Sequence, residues 1–263
     1  MKARLFWIFL MVIILFPLLF PPVIHAYKLE HDENGDVLHW SVDDFPIPYK
    51  VTVRTPVPAS AFRQAVGNAF ATWQAVKNAR ITFQAAGNTP NLKPAYDGKN
   101  CVVMQDNTSG SDVIGQAYIF YSTDSGRILD VDIALNSAYR WGTDGAPDKM
   151  DVQNAMTHEV GHLCGLDDLY AKEDSEKTMY GYMDYGETKK RTLDPDDAAG
   201  LAAIYPVENA SDSGGGGSSG CGTISPTAPP PHSGDINFLW IFLLMAALGL
   251  RYLFSGRLGT RPS

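Results

Sequence analysis

The stretch THEVGHLCGLDD, residues 157–168, decides how this chain is read. His158 and His162 are four residues apart. A helix through them puts both imidazoles on one face, about one turn apart, where they can share an ion. Glu159 lies beside the first histidine, placed to take a proton from a metal-bound water rather than to bind the metal. Gly165 permits the left-handed backbone that ends a helix and turns the chain sharply. After that turn Asp168 can fold back and supply a third ligand; Asp167 is one residue short of that spacing. Two imidazoles and a carboxylate suit zinc, which in catalytic sites keeps one position for water. The plainer reading is a chance pattern whose helix buries one histidine and exposes the other. The glycine and the carboxylate at the two further required steps argue against it.

Working outward, the stretch closes a helix expected over 148–163. A first helix is expected over 60–76, where Phe62, Val66, Ala69, Phe70 and Trp73 recur at three- and four-residue steps. A third follows Asp194, with Asp194 as N-cap, Pro195 at the first helical position, and Asp196 and Asp197 in the first turn. Ala198, Leu201, Ala202 and Tyr205 give it an apolar face. Short β-rich runs at 49–54, 81–84, 101–105, 113–121 and 128–135 read as strands. The order β-α-β-β-β-β-α-α predicts an α+β domain with one mixed five-stranded sheet and three main helices.

The ends of the chain are of a different kind. Lys2 and Arg4 precede an apolar run over 5–20, then Pro21 and Pro22, then the small Ala26, so 1–26 reads as a signal peptide cleaved before Tyr27. An uncleaved N-terminal anchor is the alternative, and either way the body is exported. Residues 27–207 are long enough for one domain with a full core. Residues 208–235 are Gly/Ser-rich, then Pro-rich, and read as a linker. Residues 236–254 are mostly apolar, with Arg251 as their one charge, and read as a short transmembrane span, with a basic tail over 255–263. This layout resembles the C-terminal sorting tails of bacterial surface proteins.

The formal net charge is −8, unevenly spread. All 29 acidic residues but only 16 of the 21 basic ones lie within 27–235, which alone carries −13. No basic patch suggests nucleic acid as a partner. The acidic stretches 106–112 and 124–132 are candidate calcium loops, though neither has the twelve-residue calcium-loop spacing and solvated turns are their ordinary role. Of the three cysteines, Cys101 and Cys164 either pair or serve as small buried apolar residues, and Cys221 sits alone in the linker.

HExxHxxGxx followed by His or Asp is the signature of the metzincin zinc peptidases. Over about residues 40–206 the sequence resembles the matrixin-like bacterial members, with Asp168 where a third histidine is usual. By that resemblance Met179, in Thr178-Met179-Tyr180-Gly181, forms the methionine turn beneath the zinc. Met183 with Tyr185 is a second candidate for that turn. RTLDPDDAAGLAAIYP, residues 191–206, looks like the matrixin C-terminal helix, with Asp196 and Asp197 tying the domain's N-terminal part to the methionine turn. IPYKVTV and AFATW, residues 47–53 and 69–73, also resemble matrixin openings. The family's inhibitory pro-segment with its cysteine is not recognisable, since 27–44 is short and lacks cysteine.

The resemblance implies a zinc-dependent endopeptidase, monomeric, acting on extracellular proteins or peptides. Its pocket for the residue after the scissile bond would be lined by the zinc helix and 180–191. Strand 113–121 would form the sheet edge along which substrate adds as a strand. Two rivals are a zinc-bearing surface binding module without turnover and a hydrolase acting on something other than peptides. Retention of Glu159 speaks against the first, because a structural zinc has four protein ligands and no need of a base.

Overall fold

Five β-strands of five to nine residues and three helices make the frame that carries the histidine pair. A computed structural model describes residues 27–91, 93–105, 112–207 and 258–259. In chain order the strands are β1 Lys28–Leu29, β2 Ile47–Thr52, β3 Phe83–Thr89, β4 Cys101–Gln105, β5 Val113–Tyr121, β6 Ile128–Asn136, β7 Trp141–Gly142, β8 Met150–Asp151, β9 Leu166–Asp167 and β10 Leu258–Gly259. The helices are α1 Ala59–Gln74, α2 Val152–Leu163 and α3 Pro195–Ile204.

The main sheet runs β5-β6-β4-β2-β3, with the two-residue β10 added on the outer edge of β5. β2 pairs in parallel with β3 and β4, and β4 in parallel with β6. Only β5 and β10 run antiparallel to their neighbours. This is the mixed five-stranded sheet with three main helices expected from the sequence, the metzincin-like α+β fold. β4 and β6 are buried almost throughout, as befits central strands covered on both faces. β3 exposes five consecutive residues and forms the far edge.

α1 links the parallel strands β2 and β3. It buries Phe62, Ala65, Val66, Ala69, Phe70 and Trp73, the stripe its spacing predicts. That stripe packs on α2 and on the sheet, where the ring of Phe70 stacks on Tyr49 at 3.8 Å between centroids.

α2 begins at Val152, four residues later than its pattern suggests. Met150 and Asp151 instead pair with Trp141 and Gly142 as β8 on β7. Asp151 then caps the helix, accepting the Asn154 N–H at 2.9 Å. Strand β3 likewise starts at Phe83 and runs on to Thr89, beyond the expected 81–84. α3 starts at Pro195, with Asp194 capping it and Asp197 completing a capping box.

Cys101 and Cys164 are both free and buried, so no bridge joins them. Cys101 lies on β4 with Val103 and Ala134, in a small cluster apart from the main core, whereas Cys164 ends α2 inside that core. Each is the small apolar residue of the alternative reading. Within 124–132 the buried carboxylates of Asp130 and Asp132 accept main-chain N–H groups. Asp97 and Gly98 donate to the first, Ala95 and Cys101 to the second. Residues 106–111, the expected signal peptide 1–26, the expected linker with Cys221 and the expected span 236–254 lie outside the described residues. Among the described residues no helix is long and apolar enough to cross a membrane.

Candidate metal centre

Helix α2 ends at Leu163, and its last carbonyls need partners that the helix cannot supply. Distant residues supply them. The Trp40 indole donates to Leu163 O at 2.9 Å, the Tyr205 hydroxyl to Cys164 O at 3.0 Å, and the Glu30 N–H to Gly165 O at 2.9 Å. The N-terminal segment and α3 thus hold the end of α2 from two sides. Gly165 follows with φ +95°, the left-handed turn its position requires. A β-carbon there would also run into Leu38 O. The chain then reverses into β9, paired antiparallel with β1, and delivers Asp168 back toward the histidines.

Three ligand atoms converge. His158 Nε2 and His162 Nε2 are 3.2 Å apart, and Asp168 Oδ1 lies 3.1 Å from the first and 3.5 Å from the second. Tetrahedral zinc with bonds of about 2.0 Å separates its ligand atoms by about 3.3 Å, so these spacings fit that ion. Among the described residues this is the group of three metal-binding side chains that could hold one. Asp167, by contrast, is partly exposed on β9 and directs a carboxylate oxygen to the Asp168 N–H at 2.7 Å.

Each histidine is oriented from behind. His158 Nδ1 lies 2.8 Å from Thr178 O, and His162 Nδ1 lies 2.8 Å from Leu166 O. A carbonyl only accepts, so both Nδ1 atoms carry the proton and both Nε2 lone pairs face the centre. The carboxylate of Glu30 stands 3.5 Å from His162 Nδ1, and the Tyr170 hydroxyl donates to Asp168 Oδ2 at 2.8 Å. Neither residue is signalled by the sequence. Each acts across a pairing or a turn that only the fold creates.

His158, Glu159, His162 and Asp168 are each at most 2 % exposed. Burial therefore dominates their titration. It pulls His158 down to about 4, against the opposing effect of the ionised Asp168 carboxylate beside it. Burial opposes a charge on His162 as well, but Asp168, Glu30 and Glu159 together outweigh it and hold His162 well above its ordinary value. Asp168 falls well below the usual carboxylate range, because His162 and His158 outweigh its own desolvation. Burial pushes Glu159 up to about 8. Neither Glu159 oxygen makes a well-formed hydrogen bond. Its carboxylate rests against Gly115 of β5, where a β-carbon would sit 2.5 Å from Glu159 Oε1.

Beneath the helix the Met179 side chain fills the space left by Gly161, whose β-carbon would overlap its sulfur. Met183 is buried too, but Tyr185 is half-exposed and lies against the ring of Tyr139. Asp197 of α3 accepts the N–H groups of Thr178 and Met179 at 2.8 and 3.3 Å and that of Asp194 at 3.1 Å. Asp196 bonds Lys177 at 3.0 Å, in the same turn. At the domain's N-terminal part, the ring of Tyr27 lies against Gly200 of α3.

Gly165→Ala is expected to destabilise the domain by about 2 kcal/mol or more, since it combines a left-handed backbone with overlap at Leu38. It should also weaken zinc binding by displacing β9. Thermal melts and zinc titration of the variant check both.

No curated protein matches the chain. The family model for matrixins matches residues 39–206, well over half of the sequence and all of the frame around α2. The chain belongs to the matrixins, a family of zinc metalloendopeptidases.

Proposed function

We propose that the chain is an exported endopeptidase that cleaves peptide bonds of extracellular proteins or peptides, with zinc held by His158, His162 and Asp168 and with Glu159 as general base. The observation that carries this reading is the convergence of three ligand atoms within 3.5 Å, beside the buried Glu159 carboxylate, which stays outside that triangle. Zinc in that site would supply Lewis acidity toward a peptide carbonyl and a water.

The chain's own groups do the rest. The carbonyls of Thr178 and Leu166 hold the imidazoles, and Tyr170 holds Asp168. Glu159 takes a proton from the attacking water and returns it to the departing amine as the C–N bond breaks. Substrate adds to β5 as an antiparallel strand. Support comes from β10, which already pairs in that sense with Gly115 and Val113. Export by residues 1–26 and a tail over 208–263 belong to the same reading, and mass spectrometry of the mature ends tests them.

Incubation of the purified protein with casein and with a peptide library should give internal cleavage. A chelator should abolish it by at least about 100-fold, and added zinc should restore it. Zinc uptake without any cleavage would leave the binding module in its place, and cleavage untouched by the chelator would remove the metal from the chemistry.

A further inference from the structure

The outer edge of β5, where a peptide would add, is not bare. An edge strand presents a row of N–H and C=O groups that another extended segment can fill. Here the chain's own tail fills part of it. β10 pairs antiparallel with β5, setting Leu258 level with Gly115 and Gly259 level with Val113. β10 also lies beside α2, the helix that carries His158, Glu159 and His162.

The register decides what this pairing blocks. Gly115 is the β5 residue against which the Glu159 carboxylate rests. The main chain of Leu258 therefore passes along the sheet edge at the level of that carboxylate. A peptide adding antiparallel at this level needs the same main-chain groups of β5, so tail and peptide exclude each other. Charge favours the contact. Residues 255–263 carry Arg257 and Arg261 and no acid, a charge of +2, whereas residues 27–235 carry −13. The covalent tether also gives the tail an effective concentration that dilution does not lower.

We propose that the C-terminal segment carrying Leu258 and Gly259 is an autoinhibitory strand: it occupies the substrate edge of β5 beside the metal-bearing helix and competes with peptides for it. The inference rests on the peptidase reading above and says how that same site is restrained. Residues 27–44 hold no cysteine to block a metal, and a paired strand needs none. The pairing is reversible, so the fraction of chains with an open edge scales the apparent affinity for substrate. A span over 236–254 that crossed a membrane would carry the tail away from the body and open the edge.

The test compares the full chain, purified without detergent, with its Leu258→Pro/Gly259→Pro variant. Proline cannot donate to a ladder, and neither residue belongs to the metal site. With zinc and a peptide substrate, kcat/KM of the variant should be at least about tenfold higher, through KM, with kcat level. A synthetic peptide of residues 255–263 should inhibit the variant competitively, and the same peptide with both prolines should not. Hydrogen exchange reads the pairing without catalysis: amides of residues 113–117 should exchange about tenfold or more faster in the variant. Equal kcat/KM in the two chains overturns the proposal, whatever the exchange shows. Rapid loss of the tail from the wild type on adding zinc, seen by mass spectrometry, also overturns it, because the tail would then be a substrate. Faster exchange in the variant with no cleavage by either chain overturns the peptidase reading itself, and the inhibition with it.

Discussion

Glu159→Ala is expected to lower kcat/KM by about 1,000-fold while zinc still binds at one ion per chain. The reason is the separation of roles around α2. His158, His162 and Asp168 bring their ligand atoms together, whereas Glu159 points its carboxylate at Gly115 and takes no part in that triangle. Its removal breaks no well-formed hydrogen bond. It also relieves a desolvated carboxyl, so the melting temperature should stay level or rise. Peptide turnover, metal analysis and a thermal melt on the same preparation read all three quantities. A variant with full activity would remove Glu159 from the chemistry. Loss of zinc along with activity would make it a ligand rather than a base.

The second large effect is expected on stability. Asp197→Ala should cost about 3 kcal/mol, or roughly 10 °C in melting temperature for a domain of this size. Asp197 is fully buried and accepts three main-chain N–H groups, from Thr178, Met179 and Asp194. Alanine leaves all three without an acceptor in the interior. The loss should travel to the metal as well. Thr178 O orients His158, so a loosened turn should weaken zinc binding by about tenfold or more. Asp196→Ala is the control. It removes a partly screened pair with Lys177 and should cost less than about 1 kcal/mol. Equal destabilisation by both variants would show that Asp197 serves the helix cap alone.

What could be read from sequence was local. The spacing of Phe62, Val66, Ala69, Phe70 and Trp73 marks α1, because helical periodicity is written in consecutive residues. Asp194 and Pro195 mark the start of α3 for the same reason: capping involves neighbours. The four-residue step between His158 and His162 and the glycine after them predict a gathering of side chains that a helix and one turn can make.

What could not be read depends on distant pairings. The start of α2 is set by β7, through Trp141 and Gly142, rather than by its own apolar pattern. Glu30 reaches His162 only because β1 lies on β9. Lys190 stands in a run of three basic residues, yet it is fully buried and its acceptors are carbonyls eight and ten positions back. Cys101 and Cys164 invite a bridge until the sheet separates them.

Gly115 carries a consequence for the sheet as well as for the site. In an antiparallel strand the cheap error is a slip of two residues, which leaves every side chain on its own face. Here such a slip would push Val113 or Ala117 into the volume held by the Glu159 carboxylate, which tolerates no β-carbon. The pairing of Gly115 with Leu135 is thus keyed by exclusion as well as by ladder hydrogen bonds, with the acid acting as the pin that keeps β5 from sliding along β6.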